Sequence, residues 1–455
     1  MINIKTDSRK VCDGDTFVAI KGHTVDGHDY IEKAIENGAK KIVCEHGNYD
    51  VETIVVENSL KYLSDYLIEN YSKCFEDIKF IGITGTNGKT TTAYLTSQML
   101  TLLNINNAYI GTIGYYVNNK FILELPNTTP DILLLYNLIL DAKEKGVKVI
   151  VMEVSSHALS LGRIAGIKLD IAGFTNLTED HLDYHKTMEN YLNSKLLILN
   201  YMKENGVMIC NIDDKYGIKF KYKNFKTLGF MNSDYHVLDY NYTNLTTNIN
   251  FSYNGSNYKV ETNLLNKFNI YNYITALAFV NNLGVSIEDI IKITKDVFPP
   301  NGRNEIIKVG NSIAVIDYAH TPDAVEKIIT STLEKKTGKV ITIVGCGGDR
   351  DPKKRPIMGN IATELSDYVI LTNDNPRTED ENNIMNDIVK GINKNNYEII
   401  FDRKEAIKKG LDMLSDNDTL LILGKGHEDY QIIGHEKHHL SDKEEVLKYV
   451  DTMKK

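Results

Sequence analysis

The chain contains, at residues 82–92, the segment Gly82-Ile83-Thr84-Gly85-Thr86-Asn87-Gly88-Lys89-Thr90-Thr91-Thr92. The segment follows the apolar run KFIGIT, which predicts a strand, and leads into TTTAYLTSQMLTLL, which predicts a helix. Glycines let the backbone curl so that its N–H groups converge on phosphate oxygens, and the N-terminus of a helix adds positive potential. The order of strand, turn and helix therefore favours a mononucleotide site over a turn that binds no ligand.

The turn is a shortened form of the usual phosphate-binding pattern, Gly-x-x-x-x-Gly-Lys-Thr. Ile83 stands where the first glycine of that pattern is expected, so the match is the shorter run from Gly85 to Thr90. Within this run, Lys89 would supply a cation for the β and γ phosphates, and the Thr90 hydroxyl could bind magnesium.

Composition restricts the class of protein. A chain of 455 residues corresponds to about three domains, and 42% hydrophobic with 25% charged residues is typical of a globular protein. The formal charge of −9 argues against non-specific nucleic-acid binding, which needs a cationic surface, although it is compatible with a local anion site. The N-terminus carries no apolar signal segment, and no run reaches the ~20 apolar residues of a membrane span. We expect a cytoplasmic protein that does not insert into membranes.

The cysteines predict free thiols in a reducing compartment. They are odd in number, and no two have the close spacing of a zinc site, so neither a disulfide framework nor a cysteine metal site is indicated. The five are Cys12, Cys44, Cys74, Cys210 and Cys346.

The apolar runs predict an α/β fold of three domains. Residues 1–78 form a small α/β unit with two predicted helices. Residues 79–300 alternate strands and helices, which is typical of a largely parallel sheet covered on both faces. The cluster Pro299-Pro300-Asn301-Gly302 breaks regular structure, and residues 301–455 after it form a third, Rossmann-like α/β unit.

The central unit carries the clearest local predictions. Helices are expected at roughly 89–103, 131–145 and 188–204. The residues from 218 to 262 alternate in polarity and contain Asn254-Gly255, a pair that favours a tight hairpin, so an antiparallel excursion is expected there.

Two polar tracts follow strands of the central unit. Glu153 ends the strand KVIVMEV, where parallel sheets bind ligands, and we assign it to magnesium bound with ATP; a helix N-cap at Ser155 is the alternative. The tract from Asp180 to His185 has histidines at i and i+4, which could form a zinc face. It lacks the glutamate of a metalloprotease helix, and the preceding ATP site favours magnesium or substrate-phosphate chemistry. A structural polar turn is the remaining alternative.

Lys195 interrupts an apolar stripe. Met188, Leu192, Lys195, Leu199 and Met202 recur at spacings of three and four on a predicted helix. A lysine there can extend its ammonium to solvent, or it can be desolvated, which lowers its pKa. A neutral amine could combine with carbon dioxide to form a carbamate, an anion suited to magnesium. Composition alone does not choose between these alternatives.

Four polar turns follow four predicted strands of the third unit. Because the carboxyl ends of parallel strands meet at one edge of a sheet, we expect these turns to build a site together. The turns are Asp317–Asp323, Gly345–Asp351, Asp374–Arg377 and Gly424–Glu428.

With these motifs, the sequence resembles the Mur ligase family, of the type that makes UDP-N-acetylmuramoyl-tripeptide. The resemblance covers essentially the whole chain and keeps the order and spacing of the motifs. Besides the nucleotide turn and the four turns above, it rests on Asp7-Ser8-Arg9, Asp26-Gly27-His28, Asn127-Thr128-Thr129-Pro130, Glu153-Val154-Ser155-Ser156-His157, Asp180 to His185, Lys195, Phe268-Asn269-Ile270-Tyr271-Asn272 and Gly302-Arg303.

The resemblance implies an ATP-dependent amide ligase of peptidoglycan precursor synthesis, and so a role in cell-wall biogenesis, cell shape and cell division. The γ-phosphoryl group would pass to the D-glutamate γ-carboxylate of UDP-MurNAc-L-Ala-D-Glu. An amino group of a diamino acid would then attack the acyl phosphate and release phosphate. We expect a monomer.

The resemblance also implies roles for individual residues. Lys89, Lys195 and His181 would be catalytic, and magnesium would be held by Thr90, Glu153, His181 and a carbamylated Lys195. ATP would be held by Gly85, Thr86, Asn87, Gly88, Lys89, Thr90, Thr91, Asn269, Arg303 and Asp317. The UDP-muramyl-peptide would be held by Ser8, His23, Thr24, Val25, Asn127, Thr128, Thr129, Ser155 and Arg163. Leu161 departs from the family, which often has Gln there, so one substrate hydrogen bond is in doubt.

The incoming amino acid is predicted to be meso-diaminopimelate rather than L-lysine. In the family, Asp-Asn-Pro-Arg marks enzymes that add diaminopimelate, and Arg377 could pair with the distal carboxylate that lysine lacks. The implied amino-acid site consists of Arg350, Asp374, Asn375, Arg377, Gly424 and Glu428, with Glu428 facing the distal ammonium.

Three other functions are weighed against this ligase. A non-catalytic nucleotide-binding scaffold would leave Lys195 and the turns of the third unit without a role. Folylpolyglutamate synthetase shares the central architecture but lacks a uridine-binding unit like residues 1–78. A P-loop switch or motor would leave the C-terminal polar turns unexplained.

Overall fold

The chain folds into three main β-sheets that follow one another along the sequence. The computed structural model describes residues 2–22, 25–243, 245–335 and 337–453. Strands of the three sheets lie within residues 4–55, 79–262 and 305–423, and helices alternate with strands in each. The predicted α/β fold class is therefore confirmed.

The first sheet has four parallel strands in the order β1-β2-β3-β4. They are β1 (Ile4–Lys5), β2 (Thr16–Val18), β3 (Lys41–Cys44) and β4 (Glu52–Val55), with helices α1 (Ile31–Glu36) and α2 (Ser59–Tyr71). Asn58 caps α2, because its side chain accepts a hydrogen bond from the Lys61 N–H. Leu63 and Leu67 of α2 pack in one apolar core with Tyr136 of the central unit, so the two units are joined by shared burial.

The second sheet has eleven strands. They are β5 (Lys79–Thr84), β6 (Asn107–Gly111), β7 (Gly114–Val117), β8 (Lys120–Leu123), β9 (Val149–Glu153), β10 (Leu169–Phe174), β11 (Met202–Asn211), β12 (Asn224–Gly229), β13 (Tyr235–Thr243), β14 (Thr246–Tyr253) and β15 (Ser256–Thr262). Their order is β15-β14-β13-β12-β11-β10-β5-β9-β6-β7-β8. In this spatial order, each strand from β13 across to β6 pairs in parallel with its neighbour. The pairs at the two edges, β15-β14-β13 and β6-β7-β8, are antiparallel.

Helices cover both faces of this sheet. They are α3 (Lys89–Leu102), α4 (Ile132–Glu144), α5 (Ser156–Ser160), α6 (Leu182–His185), α7 (Met188–Leu196), α8 (Lys267–Asn282) and α9 (Ile287–Ile293). Ile81 and Ile83 of β5 pack in the core that contains α3 and α8, whereas Phe80 lies in the core that contains α4. The alternation follows from the two-residue period of a strand.

Two local predictions for the central unit have different outcomes. The antiparallel excursion predicted at 218–262 is confirmed from β13 to β15, where Asn254 and Gly255, with φ of 49° and 79°, connect β14 and β15. It is wrong for β12, which pairs in parallel with β11 and β13. The helix predicted at 188–204 is wrong beyond Leu196, because a 3₁₀ turn follows and β11 begins at Met202. The apolar spacing that predicts a helix continues through Met202. The run VMIC at 207–210 instead pairs in parallel with β10, so the chain leaves the helix before it enters β11.

The third sheet has the order β16-β17-β21-β18-β19-β20, parallel throughout except for β16. Its strands are β16 (Glu305–Val309), β17 (Ser312–Asp317), β18 (Val340–Val344), β19 (Tyr368–Leu371), β20 (Tyr397–Ile399) and β21 (Thr419–Leu423), and a hairpin of β22 (Tyr430–Ile433) and β23 (Glu436–His439) follows. The helices are α10 (Pro322–Leu333), α11 (Lys354–Leu365), α12 (Glu381–Val389), α13 (Arg403–Asp412) and α14 (Asp442–Met453). Over the described ranges, no helix is long and apolar enough to cross a membrane.

Candidate active site

The glycine-rich turn between β5 and α3 is held by the end of the neighbouring strand β10. Gly85 and Gly88 have φ of 146° and 85°, and a Cβ on Gly85 would lie 2.0 Å from Thr175 Oγ1. Asn176 binds Asn87 twice, accepting from its N–H at 2.9 Å and donating to its carbonyl at 3.1 Å. The turn is therefore fixed in a conformation that only glycine accommodates at these points.

Two lysines converge on one carbonyl of this turn. Lys89 Nζ donates to Gly85 O at 2.9 Å and to Thr86 O at 2.8 Å, and Lys195 Nζ donates to the same Gly85 O at 2.7 Å. Lys195 is 1% exposed, so its ammonium does not reach solvent. Burial holds the pKa of Lys195 well below its usual value, and the Lys89 charge lowers it further. Burial also lowers the pKa of Lys89.

Glu153 is fully buried at the end of β9 beside this turn. Its Oε2 accepts from Thr90 Oγ1 at 3.0 Å and from Thr112 Oγ1 at 3.2 Å. Its Oε1 accepts from the Tyr109 hydroxyl at 2.5 Å and from the Thr112 N–H at 2.9 Å. Ser155 caps α5, as the alternative interpretation of this segment predicts, because its side chain accepts a hydrogen bond from the Ala158 N–H. The Glu153 side chain instead bonds Thr90 of the nucleotide turn.

The residues present suit magnesium better than zinc. Mg²⁺ prefers oxygen ligands at about 2.0–2.1 Å in an octahedron, whose neighbouring ligands are about 2.9 Å apart. Thr90 Oγ1 and Glu153 Oε2 are oxygens at 3.0 Å. Among the residues that the structure describes, no group of three or more His, Cys, Asp or Glu side chains is arranged to hold a metal. A carbamate on Lys195 would add the further carboxylate oxygens that such a site needs.

The two histidines of the 180–185 tract have different surroundings. His181 has φ of 54°, and its Nε2 lies 3.3 Å from Asp180 Oδ2 with 46% of the side chain exposed. Partial desolvation of the ring lowers its pKa to about 4 against the opposing charge of Asp180, which favours the neutral imidazole. Its ring lies 5.0 Å from that of His157 and 6.2 Å from that of Tyr191. His185 instead bonds Ser156 Oγ through Nε2 at 2.9 Å.

Four residues assigned to the muramyl-peptide lie next to Glu153. Thr128 Oγ1 is 3.1 Å from Thr112 Oγ1, and Thr129 Oγ1 donates to the Glu153 carbonyl at 2.8 Å. The Ser155 N–H donates to Thr129 Oγ1 at 3.0 Å, and Arg163 Nη1 donates to Thr129 O at 2.9 Å.

The remaining residues of the UDP-muramyl-peptide set are less closely joined. Asn127 is exposed in the same loop as Thr128. Ser8 is buried in the first unit, where its carbonyl accepts from Asn37, and Val25 is exposed. His23 and Thr24 lie outside the described residues.

The residues assigned to ATP outside the turn come from two units. Arg303 Nη2 donates to Thr90 Oγ1 at 3.4 Å, and its guanidinium lies 4.4 Å from the Tyr318 ring centre. Asp317 accepts from the Asn304 N–H at 2.7 Å, and burial raises its pKa to about 6. Asn269 is buried in α8 and accepts from Asn272, whose Oδ1 would be 2.5 Å from a Cβ on Gly88.

The four C-terminal turns do meet at one sheet edge, since β17, β21, β18 and β19 are adjacent and parallel. Asn375 Nδ2 donates to Glu428 Oε2 at 2.8 Å, and the Tyr318 hydroxyl donates to Glu428 Oε1 at 3.4 Å. A Cβ on Gly424 would lie 2.7 Å from Asp374 Oδ2, so these turns are in close contact.

The two arginines of the amino-acid set differ in how they are held. Arg377 is half-buried with φ of 53°, and its Nη1 donates to Gly348 O at 2.8 Å. Arg350 is exposed and donates to Asp349 O at 3.4 Å. The structure brings Arg377 into the cluster of turns and leaves the Arg350 side chain at its surface.

Comparison with known proteins identifies the family. Three family models match in succession: "Mur ligase family, catalytic domain" at residues 2–69, "Mur ligase middle domain" at 83–280 and "Mur ligase, glutamate ligase domain" at 302–426. The chain belongs to the Mur ligase family.

Individual members of the Mur ligase family match over nearly the full length. A UDP-N-acetylmuramoyl-L-alanyl-D-glutamate--2,6-diaminopimelate ligase of Clostridium acetobutylicum is 41% identical, over 98% of this chain and 94% of its own. A solved structure of a ligase with that name is 30% identical with a TM-score of 0.70, covering 100% of this chain and 96% of its own. Folylpolyglutamate synthase of Mycobacterium tuberculosis shares the fold at a TM-score of 0.65 and 16% identity, but covers only 80% of this chain.

Sequence reasoning missed two residues of this Mur ligase site. Lys425 is fully buried and donates to Glu428 Oε2 at 3.1 Å and to Asn375 Oδ1 at 3.3 Å. Asp323 accepts from Asn87 Nδ2 at 2.9 Å and so joins α10 to the nucleotide turn. Both stand inside motifs that were singled out, and a lysine between two glycines beside a strand end was the available signal for Lys425.

Proposed function

We propose that this Mur ligase joins meso-diaminopimelate to the D-glutamate γ-carboxylate of UDP-MurNAc-L-Ala-D-Glu, with conversion of ATP to ADP and phosphate. One observation carries the proposal: a series of contacts runs from the nucleotide turn to the C-terminal cluster. Arg303 contacts Thr90 and the Tyr318 ring, and Tyr318 contacts Glu428. An acyl phosphate formed beside the turn would therefore be within one continuous site with an amine held at the cluster.

The reaction has two steps in this proposal. An oxygen of the γ-carboxylate attacks the γ-phosphorus of ATP, the bond to the β–γ bridging oxygen breaks, and ADP leaves. The neutral amine of the amino acid then attacks the acyl carbon, loses a proton, and expels phosphate as the amide forms. Such phosphoryl transfer depends mostly on positioning and charge stabilisation.

The central unit, residues 79–300, supplies that stabilisation. The N–H groups of the turn from Gly85 to Thr91 and the N-terminus of α3 would receive the phosphates. Lys89 would exchange its bonds to Gly85 O and Thr86 O for phosphate oxygens, since both are carbonyl contacts that an anion can replace. Asn269 of this unit, together with Arg303 and Asp317 of the third unit, would hold the rest of ATP.

Magnesium would be held by Thr90, Glu153, His181 and a carbamylated Lys195. When bound, it would neutralise charge on the phosphate oxygens. The lowered pKa of Lys195 supports the carbamate, because only the neutral amine adds carbon dioxide. Both lysine ammonium groups now contact Gly85 O, and conversion of one of them to an anion would remove that like-charge repulsion.

All three units would hold the remaining substrates. Residues 1–78 would bind the uridine nucleotide through Ser8, His23, Thr24 and Val25, and the central unit would bind the muramyl-peptide near Glu153 through Thr128, Thr129, Ser155 and Arg163. Residues 301–455 would bind the amino acid. We further propose that the enzyme is a cytoplasmic monomer that does not bind nucleic acid.

Meso-diaminopimelate is favoured over L-lysine. The name of the relative from Clostridium acetobutylicum contains 2,6-diaminopimelate. Arg377 carries a guanidinium suited to a distal carboxylate, and Glu428, which Asn375 Nδ2 holds by a hydrogen bond to Oε2, carries a carboxylate suited to an ammonium. A nucleotide-driven switch would leave this cluster without a role.

The test is product formation from purified protein. Incubation with ATP, Mg²⁺, UDP-MurNAc-L-Ala-D-Glu and meso-diaminopimelate should yield a UDP-MurNAc-tripeptide by mass spectrometry, with one ADP per product. ADP release that proceeds at the full rate without the muramyl-dipeptide would contradict the ligase and favour a simple ATPase.

A further inference from the structure

Tyr109 provides the shortest hydrogen bond to the buried Glu153 carboxylate. Its hydroxyl donates to Oε1 at 2.5 Å, and the Thr112 N–H donates to the same oxygen at 2.9 Å. The other oxygen, Oε2, accepts from Thr90 Oγ1 and Thr112 Oγ1 at 3.0 and 3.2 Å. The two oxygens thus have different surroundings: both accept from Thr112, but Oε1 also accepts from Tyr109 of β6, whereas Oε2 also accepts from Thr90 of the nucleotide turn.

The Tyr109 ring is held rigidly. It is fully buried on β6, directly beside β9, with Tyr109 opposite Val151 in the parallel ladder. The rings of Tyr94 and Tyr116 contact it edge-on, with centres 6.2 and 5.8 Å away. A phenol fixed in this way cannot follow a carboxylate that rotates, so it selects one orientation of the Glu153 side chain.

Gly111 leaves the space for this contact. A Cβ at Gly111 would lie 2.3 Å from Glu153 Oε1 and 2.4 Å from the Tyr109 hydroxyl oxygen. Its φ is not in the left-handed region, so the conformation itself does not require glycine. The space is needed by the Tyr109–Glu153 pair, which indicates that this end of β6 is built around the pair.

We propose that Tyr109 is a positioning residue that anchors Oε1 of Glu153 and thereby presents Oε2 to the divalent cation bound with nucleotide at Thr90. This inference rests on the proposed function, because it needs a metal–nucleotide complex at the turn. Tyr109 itself does not touch the cation. Partners that orient a metal ligand in this way commonly change metal affinity about tenfold to a hundredfold when they are removed.

The test compares two phenol-to-phenyl substitutions. Tyr109→Phe removes only the hydroxyl and keeps the ring packing. Tyr115→Phe is the matched control, because Tyr115 is also fully buried and its hydroxyl donates to a carboxylate, Asp141 Oδ2, at 2.7 Å. Both variants lose one phenol–carboxylate hydrogen bond from a buried ring. Because the Asp141 side chain is 39% exposed whereas Glu153 is fully buried, thermal stability should fall less in Tyr115→Phe than in Tyr109→Phe.

The readout is Mn²⁺ binding in the presence of ADP, followed by electron paramagnetic resonance. We expect about tenfold weaker Mn²⁺ binding in Tyr109→Phe and an unchanged affinity in Tyr115→Phe. The half-saturating Mg²⁺ concentration for turnover should rise in the same variant, with the KM for meso-diaminopimelate unchanged. The number of ADP molecules bound per chain in a separate titration gives the folded fraction of each variant. The Mn²⁺ affinity is then calculated for folded protein only, so it is obtained even for a partly unfolded variant.

The outcomes separate the two proposals. Equal Mn²⁺ affinities in wild type and Tyr109→Phe would overturn the positioning role while leaving the ligase proposal intact. A wild-type protein that binds no Mn²⁺ with ADP would overturn both the metal–nucleotide assignment and this inference.

Discussion

At the scale of single residues, Lys195 carries the most demanding part of the proposed chemistry. It lies at the end of α7, its ammonium contacts Gly85 O at 2.7 Å, and the Tyr191 ring centre is 4.4 Å from its Nζ. Among the described residues, no carboxylate lies within ion-pair distance of this ammonium, and the Asp180 charge raises its pKa by less than burial and the Lys89 charge lower it. Such a group is poised to become neutral, and a carbamate would then supply the missing anion.

Replacement of Lys195 tests this chemistry. Lys195→Ala should lose nearly all turnover, and added short-chain carboxylic acids should restore part of it by returning an anion to the cavity. The control is Lys203→Ala, which breaks an ion pair outside the turn, with Lys203 Nζ 2.9 Å from Asp170 Oδ1. This variant should keep normal turnover and show no response to the acids. Normal turnover in Lys195→Ala would rule out the carbamate role.

Lys425 is the second residue whose charge is buried at the site. Lys425→Met should raise the KM for meso-diaminopimelate about tenfold or more, because Glu428 and Asn375 lose the donor that orients them. Lys425→Arg should recover part of this loss if the donor is what matters. The KM values come from initial rates at saturating ATP, and a Met variant with a wild-type KM would refute the orienting role.

The roles of Lys195, Lys425 and Tyr109 were only partly predictable from the sequence, because a residue type does not reveal how far its polar group is buried or what it bonds. The Lys195 position was visible in sequence because a charged residue interrupted an apolar stripe, but its alternatives could be separated only by its 1% exposure. Lys425 lies between two glycines beside a strand end, which indicates a tight turn but does not distinguish a lysine in an internal ion pair from a solvent-exposed one. Tyr109 lay in an apolar strand, where a tyrosine reads as core until its hydroxyl partner is known.

At the scale of elements, the turn between β5 and α3 is where backbone conformation controls ligand binding. Gly88 has φ of 85° and abuts Asn272 of α8, whereas Gly255 has a similar φ of 79° with open space around it. Gly88→Ala and Gly255→Ala should therefore share a strain cost of about 1–2 kcal/mol in thermal unfolding. Only Gly88→Ala should also weaken ADP binding, measured by calorimetry, and equal ADP affinities would contradict this function of the turn.

Elements were predicted well where one pattern dominated. The segment SLKYLSDYLIENY at 59–71 predicts one of the two helices of the first unit, and α2 has these bounds. The hairpin at Asn254-Gly255 forms because that pair accepts positive φ. The helix after Met188 was overextended because the apolar spacing that defines a helix face continued into β11. The conformation of this segment depends on the pairing of β11 with β10, and the periodicity of a single sequence carries no information about which strands pair.

At the scale of the whole molecule, the third unit reaches the nucleotide turn through few contacts. Asp323 on α10 accepts from Asn87 Nδ2 at 2.9 Å and from Thr178 Oγ1 at 3.3 Å. These bonds, with Arg303 on Thr90, join the two halves of the proposed ATP site. The sequence indicates that both units contribute residues to the ATP site. It does not show which side chains bond each other across the two units, because those bonds depend on how the units are placed relative to one another.

Removal of this link should slow turnover more than it weakens nucleotide binding. Asp323→Ala should lower kcat about tenfold or more, the range expected for losing a hydrogen bond to a charged carboxylate, with the ADP affinity nearly unchanged. Lys327→Ala is the control, since Lys327 binds the same carboxylate from within α10. A wild-type kcat in Asp323→Ala would show that this contact does not contribute to assembling the site.

The central claim is that the three units together form a ligase that selects meso-diaminopimelate. The most direct measurement is ADP release with UDP-MurNAc-L-Ala-D-Glu and either meso-diaminopimelate or L-lysine, in wild type and in Arg377→Ala. Wild type should act at least tenfold better on meso-diaminopimelate, since one good charge-assisted bond to the distal carboxylate is worth about that factor, and Arg377→Ala should lose most of the preference. Faster ADP release with L-lysine in wild type would contradict the account.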